Sequence, residues 1–150
     1  MTTRIAVDDF LRQKTLALVG ASRSGHKFGS AIYRELRTKG YHVLAVHPGA
    51  DRIEGDACWP TMAALPEPVG GVVVVVPPAK ALKVVQEAAA AQIPRIWLQP
   101  GTESPAAIEA ARAAGIEVVA GHCLLMFVEP VGWFHGFHRT LWRWLGKLPE

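Results

Sequence analysis

The segment Gly20-Ala21-Ser22-Arg23-Ser24-Gly25-His26-Lys27-Phe28-Gly29 carries the clearest chemistry in the sequence. Small residues let a backbone approach a phosphate closely. A helix beginning just after them would offer unpaired N–H groups and the positive end of its dipole. Ser22 and Ser24 add hydroxyl donors, and Arg23 and Lys27 add positive charge. The pattern lacks the three close glycines of a dinucleotide fingerprint. An NAD site also places an acid at the end of the second strand to hold the ribose hydroxyls, and here Val46-His47-Pro48 stands instead.

These residues need a scaffold, and hydrophobic runs alternate with helical patterns to supply one. Thr15 to Val19, His42 to Val46, Gly71 to Val76, Arg95 to Leu98 and Ile116 to Ala120 read as strands. The Gly71 run holds five consecutive valines after its glycine, as expected of a central parallel strand covered on both faces. Asp8 to Gln13, Gly29 to Thr38, Lys80 to Gln92 and Ser104 to Ala114 read as helices, the last with Ser104 as N-cap and Pro105 at its first position. The expected fold is α/β, an open parallel sheet of about five strands with helices on both faces. Ligands of such sheets lie outside the carboxyl ends of the strands. Gly20-Ala21-Ser22, His47-Pro48, Pro77-Pro78, Gln99-Pro100-Gly101 and Gly121-His122-Cys123 would all face that crevice, with Lys80 at the start of the following helix.

In order along the chain, Leu18 to Ser22, Lys27-Phe28-Gly29, Val46-His47-Pro48, Ile53-Glu54-Gly55, Val75 to Pro78, Trp97 to Gly101 and Cys123 resemble the small stand-alone CoA-binding protein family. That family is similar to the N-terminal CoA-binding domain of the succinyl-CoA synthetase α subunit. The resemblance spans Thr15 to Cys123 and implies a three-layer Rossmann-like fold with coenzyme A as cofactor. It implies that Gly20, Ala21, Ser22 and Lys27 meet phosphates, with Arg23 beside them. Val46 and Pro48 would border the adenine-ribose end, and Pro77, Gln99, Pro100 and Gly101 the rest of the cleft; His47, Lys80 and Cys123 are further candidate cofactor contacts by their positions at the strand exits. His47 stands where asparagine is common in the family. No catalytic centre comes with the resemblance, because the synthetase's phosphorylated histidine belongs to another domain. The expected function is therefore to bind CoA or an acyl-CoA without catalysis. The alternative is an NAD(P)-dependent or thiol-redox enzyme using the same cleft.

Cys123 invites a mixed disulfide with a small thiol such as that of CoA, or else packs as a small apolar side chain. Cys58, beside Trp59 and Pro60, reads as packing. His122, His135, His138 and Cys123 match no closed zinc spacing. Ser22 sits like a hydrolase nucleophile, but that elbow needs glycine where Ser24 stands.

The 150 residues suit one domain, residues 1–150, and two cysteines make no disulfide framework, so a cytoplasmic protein is expected. A net charge of +3 without a Lys/Arg-rich run points to small anions and away from nucleic acid. Residues of about 133–148 form an amphipathic pattern, with Phe134, Phe137, Leu141 and Leu145 opposite Arg139, Arg143 and Lys147. Docking on the domain or a homodimer contact is the favoured use of this helix over a membrane surface.

Overall fold

A computed structural model describes residues 2–22 and 28–128. Arg23 and Lys27 of the glycine-rich segment lie outside them, as do His135, His138 and the expected helix over 133–148 with its dimer contact.

Among the described residues seven strands form one sheet in the order β3-β4-β2-β1-β5-β6-β7. All five strands expected from the sequence are present: β1 (Thr15–Val19), β2 (His42–Val46), β5 (Gly71–Val74), β6 (Arg95–Leu98) and β7 (Glu117–Ala120). They run parallel throughout. Two further strands, β3 (Arg52–Ile53) and β4 (Asp56–Trp59), make a hairpin whose β4 pairs parallel to β2. The sheet is therefore seven-stranded and mixed at one edge, where about five parallel strands were expected.

Period-two alternation sorts the strand residues onto two faces. Leu16, Leu18, Val73 and Trp97 point into one core, with Phe10 and Val7 of α1 (Arg4–Leu11) and Ile32, Tyr33 and Leu36 of α2 (Phe28–Thr38). Ala17, Val72, Val74, Ile96 and Leu98 point into the other, against α3 (Pro78–Ala90) and α4 (Pro105–Ala113). The second pair of helices packs through Ala81, Ala88, Ala107 and Ala111, all fully buried, and these small side chains let the helices lie close. The layers are helix, sheet, helix, as the buried strands require.

The first helix starts earlier than the expected Asp8. Thr3 caps it, its side chain accepting from the Ala6 N–H at 3.1 Å, and this places Ala6, Val7 and Phe10 on the sheet. Thr2 also ties the N-terminal segment to the last strand, accepting from the Ala120 N–H at 3.0 Å and donating to the Ala120 carbonyl at 3.1 Å. No helix among the described residues is long and apolar enough to cross a membrane.

Candidate functional site

The chain steps from β1 to β2 on one side, then returns across β1 to β5, β6 and β7 on the other. The order reverses between β1 and β5, and it is outside the carboxyl ends of strands at such a reversal that open parallel sheets bind their ligands. The exits of the five strands expected from the sequence all lie at this end of the sheet.

Two glycines draw the β1 exit tight. Gly20 has φ +122°, and a Cβ there would collide with the Val75 carbonyl, 2.6 Å from its carbon. A Cβ on Gly29 would sit 2.6 Å from the Gly20 carbonyl carbon and 2.9 Å from the Ala21 nitrogen. Helix α2 thus rests its first turn directly on the Gly20-Ala21 backbone, which aims its N-terminus at the turn. Ala21 is buried, and Ser22 is held by the fully buried Ser30 of α2 through its backbone N–H. Sequence reasoning missed Ser30. Its one signal is a hydroxyl directly after Gly29 on the face that also carries Tyr33.

At the β2 exit, Val46 is buried and Pro48 exposed. His47 Nδ1 accepts from the Gly49 N–H at 2.9 Å, closing its own turn. An asparagine side chain can accept from the same i+2 amide, so the imidazole performs the same local task. Pro77 occupies the N-cap position of α3 and is exposed, and Lys80 is exposed in the first turn.

At the β6 exit, Pro100 and Gly101 are exposed in the middle of a turn closed by the Thr102 N–H to the Gln99 carbonyl at 2.9 Å. The Gln99 side chain turns inward and is fully buried. Its Oε1 accepts from the Leu124 N–H at 2.8 Å, and its Nε2 donates to Cys123 Sγ at 3.6 Å. Gln99 therefore braces the segment after β7, with help from Trp97, whose Nε1 donates to the His122 carbonyl at 2.8 Å. Glu103, in the lead into α4, has a buried Oε2 without a hydrogen-bond partner among the described residues, a feature that nothing in its sequence context marks.

Cys123 is 9% exposed and free, and Gln99 is its polar contact. Burial pushes the His122 imidazole down, so it is neutral at neutral pH and brings no positive charge to its neighbour. Cys58 donates its thiol to the Ala50 carbonyl at 2.8 Å, and burial raises its pKa. Among the described residues no three His, Cys, Asp or Glu side chains converge as metal ligands.

The model of the CoA binding domain matches residues 14–129. The ADP-forming acetate–CoA ligase I of Archaeoglobus fulgidus is 31% identical over 137 residues, 85% of this chain and 20% of the ligase. The chain thus spans about a fifth of that relative's length. A conserved hypothetical protein from Pyrococcus furiosus superimposes with TM-score 0.70 at 40% identity, covering 74% of this chain and 96% of that one. A protein from Thermus thermophilus gives TM-score 0.74 at 31% identity, covering 83% and 94%.

Proposed function

Since the chain belongs to the CoA binding domain family, we propose that it binds coenzyme A or an acyl-CoA at the crevice between β1 and β5, without chemistry of its own. The family match over residues 14–129 carries this reading. The diphosphate would lie over Gly20-Ala21-Ser22 at the N-terminus of α2, with Arg23 and Lys27 supplying charge. The Ser22 N–H is already committed to Ser30 Oγ, which holds the backbone of the turn in place for that approach. Val46, His47 and Pro48 would border the adenosine, and Pro77, Lys80, Pro100 and Gly101 the pantetheine side. Gln99 and Cys123 would act from beneath: one shapes the floor, and the other is reached only when the segment after β7 opens.

The Val46-His47-Pro48 exit, with no acid to grip ribose hydroxyls, favours this ligand over NAD. Calorimetric titration with CoA, dephospho-CoA, NAD and NADP tests it. CoA should bind most tightly, and Lys27→Ala should weaken it with the fold intact. Equal or tighter binding of NAD would reject the assignment in favour of the redox-enzyme alternative.

A further inference from the structure

Alongside α1, from Arg4 and Phe127 to the residues leading into β1 and the turn into β2, lies an open cavity of about 580 Å³. Lys14 lies immediately before β1 and Tyr41 immediately before β2. The five-residue β1 separates the Lys14 end of this cavity from the Gly20 turn by roughly 16 Å. Among the described residues the wall carries Arg4, Arg12, Lys14 and Lys39 against one acid, Asp8.

Two of those cations are already paired. Arg4 meets Asp8 at 3.0 Å and Lys39 meets Glu35 at 3.5 Å. Arg12 donates its Nε to the Asp8 backbone carbonyl and lies within the field of the Asp9 carboxylate, which is itself paired with Arg95. Lys14 is exposed and makes no ion pair among the described residues. The floor differs in character. Tyr41 and Phe127 present rings, and the Tyr41 hydroxyl donates to the Leu11 carbonyl at 2.6 Å, which holds that ring as a fixed wall. Beside it Gly40 leaves open space where a side chain would stand. A lone phosphate would fill a small part of this volume, whereas an organic anion matches the size of ordinary ligand cavities.

We infer that this cavity is a second ligand site, separate from the CoA cleft, for a small organic phosphate with a planar or apolar body. The phosphates meet Arg12 and Lys14, and the body lies along Tyr41, Phe127 and Gly40. This site goes beyond the CoA reading and stands without it.

Amide NMR spectra of the full chain, titrated separately with ADP, adenosine and pyrophosphate, test the inference. ADP should shift the Lys14, Gly40 and Tyr41 amides saturably, with adenosine and pyrophosphate at least about ten-fold weaker. The double variant R12E/K14E should weaken ADP at these amides by about ten-fold or more. The variant K83E/R112E makes the same charge change on α3 and α4 and should leave ADP binding unaltered. Adenosine or pyrophosphate binding as tightly as ADP overturns the inference. So does equal weakening by the two double variants, or no ADP response at Gly40. The Gly20 and Gly101 amides read CoA binding in the same sample, so a failure of either site is seen separately.

Discussion

Ser30 and Ser22 exchange two hydrogen bonds across the first strand exit. The Ser22 N–H donates to Ser30 Oγ at 2.9 Å, and the Ser30 hydroxyl returns a bond to the Ser22 carbonyl at 3.3 Å. One buried side chain thus fixes both backbone polar groups of the residue proposed to face a diphosphate. Ser30→Ala leaves those groups unmatched at a cost of about 1–3 kcal/mol. Urea unfolding should show that loss, and CoA titration of the folded variant should show weaker binding with the ligand ranking unchanged.

Gly20→Ala would bring its methyl against the Val75 carbonyl at a φ of +122°. Neither strand can retreat, because Val75 N–H also bonds the Val19 carbonyl at 2.8 Å. The expected loss exceeds about 2 kcal/mol, the range of backbone strain joined to a core clash. Thermal and urea midpoints measure it, and an unchanged midpoint would contradict the close approach.

Gln99→Leu keeps the volume and removes the brace. The buried Leu124 N–H loses its acceptor, for about 1–3 kcal/mol, and the segment holding Cys123 should open more often. The rate of Cys123 modification by an aromatic disulfide reagent should rise in the folded variant, with Cys58→Ser as the background. The same background decides whether oxidised CoA forms a mixed disulfide at Cys123, read by mass.

His122 sets a pH dependence. Its folded pKa lies below the ordinary 6.5, because burial disfavours the charged ring. Between the two values the unfolded chain binds more protons, so stability rises with pH there. The contribution is complete above about pH 6.5 and is lost as the pH falls toward the folded value. His122→Phe should flatten that acid-side decline, measured as the change in urea midpoint between about pH 7.5 and about pH 5.5.

The five central strands were legible because each is an apolar run ended by Gly, Pro or a polar turn. The β3–β4 hairpin was not, since two and four residues are too few to show alternation. Its one written signal is Glu54-Gly55, which turns the chain with φ +52° and +80°, the geometry of a tight two-residue hairpin loop. Tyr33 and Arg37 of α2 then reach across to Asp56, contacts between residues far apart in sequence. In the site, the glycines and the strand exits could be read directly. Gln99 could not, because a polar residue at a strand exit serves equally as a ligand contact or as an inward brace, and only the fold of residues 121–128 decides which.

The bond pair between Thr2 and Ala120 bears on how these molecules behave in concentrated solution. An outermost strand invites the backbone of another molecule to pair with it, and the sheet can then lengthen from copy to copy. At the end of β7 a threonine hydroxyl already takes both the N–H and the carbonyl of Ala120. The tether therefore denies an incoming strand its first rung at that point. The same two bonds that anchor the first helix thus occupy the backbone groups of Ala120 that an added strand would use.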